Sequence, residues 1–444
     1  MSNDMLSYKH GVEEQLEKEV LQNLQTEKLK RQVDYVYRHS PMYAAKFDKA
    51  GFKPADIQTL DDLAKIPFTE KWEIRESQKD VFDLGSHQCA DMEDVIRIHS
   101  SSGTTGKPTY VGITKRDSEV WTDIVSRVYY TAGVRPEHKV IFAMGLSFFV
   151  GGLPLKDGIE RLGATFIPIG TGASERLVTT ALSLKPDVLL CTPSYANYLA
   201  DYIRSIDMDP KDLGIKLIGT GGEPGGGLPE VRQKIEQDWG ARVFEAMGNA
   251  DMAPVVFSEC PDGNGMHFVA PDYVICELID PDSGEVKPME DGSSGELVYT
   301  AIDRECVPLL RFRTRDLITV KTGKCSCGRS SFRIRCIGRT DDMLIIRGVN
   351  VFPTAIKDVV SSLYPRTTGE IQIMLYQEGP AVEPPLHIKA EYAKETSPEA
   401  LPASKKEVKD LLRAKLMFKA NVELVPEATL PRFEMKSKYV EVTL

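Results

Sequence analysis

The sequence predicts an α/β protein with a large N-terminal domain, which combines a parallel sheet with a β-rich subdomain, and a small α+β C-terminal domain. Three observations predict this fold class. Short β-branched segments alternate with helical segments from residue 139 onward, which is typical of a parallel sheet. Strand-like segments separated by tight turns follow in residues 273–320. Near Gly338 the pattern changes again, to a compact C-terminal tail.

The alternation is carried by strand and helix candidates that follow one another along the chain. The strands are expected at Lys139–Met144, Ala164–Ile167, Asp187–Cys191, Lys216–Ile218 and Arg242–Phe244. The helices are expected at Glu175–Leu184, Tyr195–Ser205 and Pro229–Trp239. A further helix is expected within residues 11–38, which are rich in Glu, Leu, Lys and Gln and contain no proline.

A domain boundary is predicted between residues 337 and 342. The turn sequences Asp280–Gly284 and Asp291–Gly295 divide the β-rich part into short strands. The tail contains two strand candidates and two helix candidates. We therefore predict an N-terminal domain of residues 1–337 and a C-terminal domain of residues 338–444.

The composition narrows the functional classes. The chain has 444 residues, 42% hydrophobic and 27% charged, with a formal net charge of −10, which fits a soluble globular protein. An acidic balance argues against a general nucleic-acid binder or a membrane-surface protein. The N-terminus lacks the apolar segment of a signal peptide, so we expect a cytoplasmic protein. Its eight cysteines are then expected to be thiols or metal ligands rather than disulfides.

The clearest local motif is the loop Ser100–Pro108, with the sequence Ser-Ser-Ser-Gly-Thr-Thr-Gly-Lys-Pro. Glycines allow a tight backbone turn in which amide and hydroxyl groups face phosphate oxygens, and Lys107 adds a positive charge. The spacing differs from a Walker loop, which has four residues between its glycines and a Ser or Thr after the lysine. The alternative interpretation is a flexible, hydroxyl-rich loop without a ligand.

This loop and the motifs that follow it resemble those of the acyl-adenylate-forming superfamily, and most closely the phenylacetate–CoA ligase family. The later motifs are Gly219–Gly225, Arg311–Leu317 and Gly338–Pro353, and the N-terminal segments Tyr35–Tyr43 and Ile66–Thr69 are also similar to that family. The resemblance covers nearly the whole chain. It implies an N-terminal adenylation domain, a mobile C-terminal domain, and an ATP-dependent ligase that joins a carboxylic acid to coenzyme A through an acyl-adenylate.

The resemblance also implies which residues bind the nucleotide. They are Ser101, Ser102, Gly103, Thr104, Thr105, Gly106, Gly221, Gly222, Glu223, Pro224, Glu245, Ala246, Met247, Gly248, Asn249, Asp316 and Arg339. Asp316 would accept hydrogen bonds from the ribose hydroxyls. Arg339 would approach the ribose or the phosphates, and Asp341 would be the hinge of the mobile domain.

Two lysines are implied to act during acid activation. Lys107 lies in the phosphate loop. In the C-terminal segment, Lys436 is the better match for the lysine that contacts the acid's carboxylate and the α-phosphate, and Lys438 is the alternative. A lysine there would neutralise charge on the transferring group.

One segment departs from the family pattern of Tyr-Gly followed by two residues and Glu. Here Met247 replaces the aromatic residue, Ala250 replaces a hydroxyl residue and Asp251 replaces the Glu that holds Mg²⁺. A thioether can pack on a ring, and Asp can bind Mg²⁺ with a shorter reach. Asp251 is therefore expected to be the magnesium ligand. An aryl acid is expected as the substrate, with Phe142, Phe148 and Met247 as walls of its pocket.

A Cys₃His set predicts a zinc site. Its members are Cys260, His267, Cys325 and Cys327, a combination suited to tetrahedral zinc. Relatives in the family often carry the same pattern. Four protein ligands leave no open position, so the zinc would be structural, in a subdomain at about 255–335. A homodimer is the expected assembly, with its contact close to this subdomain. The remaining cysteines show no such pattern and are interpreted as core or incidental residues: Cys89, Cys191, Cys276, Cys306 and Cys336.

Two other functions remain open on the sequence alone. An adenylating enzyme could use a deazaflavin cofactor or a carrier protein as the acceptor in place of coenzyme A. A nucleotide-binding relative without catalysis is the other alternative, and the departures at Met247, Ala250 and Asp251 are its support. Neither nucleic acid nor a membrane is expected as a partner.

Overall fold

The computed structural model describes residues 18–79, 83–101, 109–347, 349–377, 379–431 and 439–443. In these residues the α-helices are α1 (Lys18–His39), α2 (Pro41–Ala50), α3 (Lys71–Ser77), α4 (Lys115–Ala132), α5 (Leu153–Leu162), α6 (Ser174–Leu184), α7 (Pro193–Ser205), α8 (Pro229–Trp239), α9 (Pro353–Ser361) and α10 (Leu401–Leu416).

The strands of the first 260 residues are β1 (Val95–Ser100), β2 (Tyr110–Thr114), β3 (Lys139–Phe142), β4 (Thr165–Pro168), β5 (Val188–Cys191), β6 (Leu217–Thr220), β7 (Arg242–Asn249) and β8 (Ala253–Glu259). Those of the β-rich part are β9 (Met266–Phe268), β10 (Val274–Ile279), β11 (Val286–Lys287), β12 (Ser294–Ala301), β13 (Phe312–Lys321) and β14 (Arg333–Arg339). The tail contains β15 (Leu344–Ile346), β16 (Val349–Val351), β17 (Thr367–Leu375), β18 (Ala381–Val382), β19 (Leu386–Tyr392), β20 (Ala420–Pro426) and β21 (Val440–Val442).

The predicted alternation of strands and helices is present as β3 to β7 with α6 to α8. The helix predicted at Pro229–Trp239 has these bounds in the structure. Helix α7 begins two residues earlier than expected, at Pro193. Proline is well suited to the first helical turn, and the Thr192 hydroxyl accepts a hydrogen bond from the Tyr195 amide as an N-cap.

The chain folds as two compact units. The first comprises residues Met1–Gly170 and Phe244–Arg335. In it β1 and β2 form an antiparallel pair, and β3 and β4 a parallel pair. The strands of its β-rich part are neighbours in the order β11-β10-β12-β13-β14-β9-β8-β7. Their apolar faces share a core with α4, in which Phe257, Tyr299 and Phe312 are almost fully buried.

The second unit comprises residues Thr171–Val243 and Cys336–Leu444. Strands β5 and β6 pair in parallel, while the tail has a four-stranded sheet of order β20-β19-β17-β21 and a three-stranded sheet of order β16-β15-β18. The change of unit after Arg335 lies close to the predicted boundary. The sequence did not predict that residues 171–243 belong to the same unit as the tail.

The prediction of two strands in the tail was wrong, because β15 to β21 all lie there. Strands β15, β16, β18 and β21 are two or three residues long, too short to show an alternating pattern. The two predicted helices are present as α9 and α10. Among the helices that the structure describes, none combines the length and the apolar character that a membrane crossing requires.

Candidate active site

Ser101 and Thr109 form the neck of the predicted phosphate loop, where its two ends meet. Ser101 directly follows β1, and Thr109 directly precedes β2. The Ser101 amide donates to the Thr109 carbonyl oxygen at 2.9 Å, and the Thr109 amide donates to the Ser101 hydroxyl at 3.1 Å. The two side-chain oxygens are 2.9 Å apart, and both residues are buried. These bonds fix both ends of the loop. The predicted ligands between them lie outside the described residues: Ser102, Gly103, Thr104, Thr105, Gly106 and Lys107.

The structure brings Asp251 to this neck and adds a cation that the sequence analysis missed. The Thr109 hydroxyl donates to Oδ1 of Asp251 at 3.1 Å. The ammonium of Lys71, at the start of α3, lies 2.6 Å from Oδ1 of Asp251 and 2.6 Å from the Thr109 hydroxyl. The Asp251 side chain is only 8% exposed, whereas that of Lys71 is 25% exposed. The carboxylate is thus buried beneath a lysine that reaches solvent.

A buried histidine lies near this pair. Burial lowers the pKa of His87 to about 4, against the opposing influence of the Asp251 carboxylate. Nδ1 of His87 is 2.6 Å from the Ser77 hydroxyl at the end of α3. His87 is therefore neutral near pH 7, and the positive charge beside Asp251 comes from Lys71.

The segment Glu245–Asn249 is the end of β7, and its backbone approaches that of Pro254 closely. A Cβ atom on Gly248 would lie 2.3 Å from the Pro254 carbonyl oxygen, so a larger residue would force the strands apart. The Asn249 side chain accepts a hydrogen bond from the Asp251 amide at 2.9 Å. The turn that follows Gly248 therefore brings Asp251 to Thr109 at the neck of the loop.

Other predicted residues of this segment pack locally. The Glu245 amide donates to the Glu259 carboxylate at 2.9 Å, and Ala246 pairs with Ser258. Met247 is partly buried and packs on the core of the first unit, as Ala250 does.

Asp316 lies in a β-bulge. In the pairing of β13 with β12, Leu317 lies opposite Glu296, and Arg313 lies opposite Val298. Four residue steps along β13 thus match two along β12, so the register shifts in the stretch that contains Asp316. Bulges re-aim side chains and are frequent beside functional sites. The Asp316 amide donates to the Thr314 hydroxyl at 3.0 Å, and the residue is buried.

The arginines of this motif bind carboxylates of their own unit. Arg311 pairs with Glu277 at 2.9 Å, and Arg313 lies 3.1 Å from Glu296. Arg315 contacts Glu70. These ion pairs hold the strand that carries Asp316, so the Arg-rich motif is structural at these positions.

The glycine-rich turn Gly221–Pro224 lies in the second unit, after β6. Gly222 has a φ of +83°, a backbone conformation that favours glycine. The Glu223 side chain is buried and accepts a hydrogen bond from the Ser194 amide at 2.8 Å. This contact ties the turn to the first turn of α7.

Arg339, which is predicted to approach the ribose or the phosphates, contacts Asp341, the predicted hinge. Both residues lie in the second unit. Nε of Arg339 lies 2.9 Å from Oδ1 of Asp341, and Nη2 lies 2.9 Å from Oδ2. The pair is bidentate, which orients the guanidinium plane strictly. Lys436 and Lys438 both lie outside the described residues.

The proposed pocket residues differ in exposure. Phe142 is fully buried and packs on Phe166 with ring centroids 5.3 Å apart, so its side chain is part of the core. Phe148 is 46% exposed and lies 5.9 Å from the ring of Tyr110. The exposed aromatic pair is therefore next to the neck of the phosphate loop, since Tyr110 follows Thr109.

The four predicted zinc ligands converge within the first unit. Their ligand atoms all lie within 4.8 Å of one another. Sγ of Cys260 is 3.8 Å from Sγ of Cys325, and Sγ of Cys327 is 3.5 Å from Nε2 of His267. Tetrahedral zinc, with bonds of about 2.3 Å to sulfur and about 2.0 Å to nitrogen, requires ligand separations of about 3.8 and 3.5 Å. The geometry therefore fits the ion.

The surroundings of the cluster orient its histidine. Nδ1 of His267 is 3.2 Å from the Ser331 hydroxyl, which leaves Nε2 free to bind a metal. Burial, with the charges of Arg329 and Arg333, lowers the pKa of His267 to about 4, so the ring is in the neutral form that metal binding needs. Cys89, Cys191 and Cys306 are buried elsewhere.

Two residues of the site carried weak sequence signals. Lys71 comes two residues after the Ile66–Thr69 segment, which resembles the family but has no chemical motif of its own. Thr109 follows the loop that was singled out. Their roles depend on a contact with Asp251 that is far away in sequence, and no local pattern reports such a contact.

Two family models and several curated relatives match this chain. The family model described as AMP-binding enzyme matches residues 11–301, and that described as AMP-binding enzyme C-terminal domain matches residues 348–441. The phenylacetate-coenzyme A ligase of Thermus thermophilus is 39% identical over 377 residues, which cover 84% of this chain and 82% of that protein. The enzyme of the same name from Escherichia coli is 39% identical over 342 residues, 77% of this chain and 76% of that protein.

Solved structures show the same fold. The crystal structure of 2-hydroxyisobutyryl-CoA ligase in the postadenylation state, in complex with R3-HIB-AMP, has a TM-score of 0.90 at 28% identity. The match covers 97% of this chain and 91% of that chain. The same ligase in the thioesterification state, in complex with 2-HIB-AMP and CoA, has a TM-score of 0.73 at 30% identity, covering 98% and 92% of the two chains.

Proposed function

The chain belongs to the phenylacetate–CoA ligase family of AMP-binding enzymes, and from this membership we propose that it activates a carboxylic acid with ATP and transfers the acyl group to coenzyme A. The observation that carries the proposal is the contact of Asp251 with Thr109 at the neck of the phosphate loop. A buried carboxylate and a lysine thus lie at the neck of the loop that we propose binds the phosphates of the nucleotide.

The first half-reaction needs no nucleophile from the protein. The substrate carboxylate attacks the α-phosphorus of ATP, an acyl-adenylate forms, and pyrophosphate leaves with the electron pair of the broken P–O bond. Catalysis then consists of positioning and charge stabilisation. Ser101 and Thr109 hold the loop ends, and Lys71 supplies positive charge beside the phosphates.

Magnesium enters with the nucleotide as part of the substrate. The Asp251 carboxylate contacts Lys71 and Thr109 in this structure. When the Asp251 carboxylate binds Mg²⁺, the ion would replace the ammonium of Lys71 at the carboxylate oxygens. Lys71 would then be available to the phosphate oxygens, and its partial exposure permits this movement.

The second half-reaction transfers the acyl group to the thiol of coenzyme A, which releases AMP. We place the hinge at Asp341, whose carboxylate is held by Arg339. A change in the backbone at this residue would move Lys436 away from the adenylate and open a path for the thiol. Such a step is a hinge rotation.

An aryl acid is the substrate class that we favour. Relatives 39% identical to the chain are named phenylacetate-coenzyme A ligase. The exposed pair of Phe148 and Tyr110 beside the phosphate loop offers aromatic surface to such an acid.

The Cys₃His cluster is the proposed zinc site. Cys260, His267, Cys325 and Cys327 would complete the coordination of the ion, so its role would be to hold β8, β9 and the turn after β13 together. A bound zinc supplies no reaction step here.

Pyrophosphate release against a panel of aryl and short-chain acids, with MgATP and with or without coenzyme A, tests this function. We expect release that depends on an aryl acid and turns over repeatedly only with coenzyme A. Acid-dependent formation of a stable adenylate that coenzyme A does not consume would favour a deazaflavin cofactor or a carrier protein as the acceptor. Tight ATP binding without release for any acid would favour a nucleotide binder that lacks catalysis.

A further inference from the structure

His99 links β1, the strand that leads into the phosphate loop, to the segment of residues 145–152. Its Nδ1 lies 3.2 Å from the carbonyl oxygen of Phe148. The amide of the next residue, Ser100, donates to the same oxygen at 3.0 Å. One carbonyl thus receives two hydrogen bonds from the end of β1, where the loop begins.

The contact fixes the protonation of the imidazole ring. A carbonyl oxygen only accepts hydrogen bonds, so Nδ1 of His99 must carry a proton. The ring is 1% exposed and its pKa is lowered by burial, so the neutral form predominates and Nε2 is an acceptor. Nε2 has no hydrogen-bond partner among the residues that the structure describes. Among the described residues, the imidazole of His99 therefore forms its hydrogen bond through Nδ1, which donates to Phe148.

The segment that His99 holds is tightly closed. The Gly152 amide donates to the Phe149 carbonyl oxygen at 3.3 Å, and a Cβ atom on Gly152 would lie 2.6 Å from the Gly145 carbonyl oxygen. A shift of Phe148 would therefore be transmitted to the whole turn. The ring of Phe148 also contacts Tyr110, the first residue of β2. Both strands that bound the phosphate loop thus fix the position of Phe148.

We propose that His99 is a positioning residue for acid activation, which holds the segment 145–152 in register with the phosphate loop through its hydrogen bond to Phe148. This inference rests on the proposed function, in which residues of that segment face the acid while the loop binds the phosphates. An in-line attack requires the carboxylate and the α-phosphorus to be held at a fixed separation. His99 links the two structural elements that set this separation.

Two carboxamide variants separate the two ends of the imidazole. In His99→Asn the amide nitrogen takes the position of Nδ1 and can still donate to Phe148. In His99→Gln the amide is placed near the position of Nε2, so polarity is kept and the donor is displaced. We expect the Gln variant to lower kcat for acid-dependent pyrophosphate release by about 10- to 100-fold, since small misplacements of reacting groups have effects of this size. The KM for ATP should change by less than about twofold, and the Asn variant should retain most of the wild-type kcat.

Hydrogen–deuterium exchange measures the same link without activity. The amides of residues 145–152 should exchange faster in His99→Gln than in the wild type and in His99→Asn. The three proteins should have equal melting temperatures, so that the difference reports on this segment and not on global stability. If both variants behave alike in kcat and in exchange, the positioning role is excluded. If the wild type releases no pyrophosphate with any acid, the proposed function fails, and the exchange data alone then decide whether His99 holds the segment.

Discussion

The ammonium of Lys71 lies 2.6 Å from Oδ1 of Asp251, although the two residues are 180 positions apart in the sequence. The pair joins the N-terminal end of helix α3 to the turn after β7. It also includes the hydroxyl of Thr109, at the neck of the phosphate loop. These contacts hold the ammonium of Lys71 at the neck of the loop, so a movement of this side chain away from Asp251 would bring its positive charge to a phosphate.

Replacing Lys71 with Met should reduce both stability and adenylation. The Asp251 side chain is 8% exposed, and a buried charge that has lost its partner lowers the free energy of unfolding by about 3 kcal/mol or more. We expect a lower melting temperature and a pyrophosphate release rate reduced by about 10-fold or more, because positive charge near the transferring group is lost.

The double variant Lys71→Met with Asp251→Asn tests the stability effect alone, because Asp251 is also the proposed magnesium ligand. It removes the unpaired charge, so the melting temperature should recover toward that of the wild type. Lys79→Met is the control, since Lys79 pairs with Glu76 on the surface and exposed pairs contribute at most about 1 kcal/mol. Normal pyrophosphate release by Lys71→Met would exclude a role for this lysine at the phosphates.

The Cys₃His cluster should bind one zinc ion per chain. Replacing Cys325 and Cys327 by Ser together should abolish zinc binding and lower the melting temperature, because the ion would no longer link β8, β9 and the turn after β13. Metal analysis of the purified protein measures this directly. Cys336→Ser is a matched control, since Cys336 lies outside the cluster. A full equivalent of zinc in the double variant would rule out this site.

The hydrogen bond from His267 to Ser331 gives a finer test of the same cluster. Ser331→Ala keeps all four ligands but removes the group that orients the imidazole. Loss of such a partner weakens metal affinity by about 10- to 100-fold. Competition with a chelator of known affinity should show this difference, and equal affinities would mean that Ser331 does not orient His267.

The elements with strong local patterns could be predicted from the sequence. Helix α8 has its predicted bounds, Pro229–Trp239, because a proline at its start and a glycine after its end mark both limits. Strands β15, β16, β18 and β21 could not be predicted, since two or three residues are too few to show a period. In these strands the pairing partners, rather than the local sequence, select the conformation.

Sequence motifs indicated the candidate site residues, but contacts between residues far apart in the chain could not be predicted from them. The Cys₃His ligands converge as their residue types indicated. Arg339 and Asp341 were each assigned a separate role, yet they form one bidentate pair. Lys71 was missed, because only the fold brings it to Asp251.

The two lysines of the C-terminal segment can be assigned by half-reaction. Lys436→Ala should lower acyl-adenylate synthesis by about 100-fold or more, since charge on the transferring group is no longer neutralised. It should largely spare thioester formation from supplied acyl-adenylate and coenzyme A. Lys438→Ala is the comparison variant, expected to retain most of both activities. The opposite result would shift the assignment by two residues.

We expect the stability of the second unit to depend on pH, because the carboxyl groups of Asp358 on α9 and Glu230 on α8 lie next to each other. Burial, followed by the neighbouring Glu230, raises the pKa of Asp358 to about 7, while Lys415 of α10 opposes the shift. Oδ1 of Asp358 and Oε2 of Glu230 are buried and have no other hydrogen-bond partner in the described part of the chain. A proton shared between the two carboxyl groups would satisfy both oxygens.

The direction of the pH effect follows from proton binding. An Asp in the unfolded chain has a pKa of about 3.9, so between about pH 4 and pH 7 the folded protein holds a proton that the unfolded chain releases. The free energy of unfolding should therefore fall as the pH rises through this window and then level off. Asp358→Asn keeps a hydrogen-bond donor toward Glu230 without the ionisation. It should raise the melting temperature at pH 8 and leave it nearly unchanged at pH 4.5, whereas Asp410→Asn, an exposed position on α10, should show no such difference. An equal shift at both pH values would mean that Asp358 and Glu230 do not share a proton.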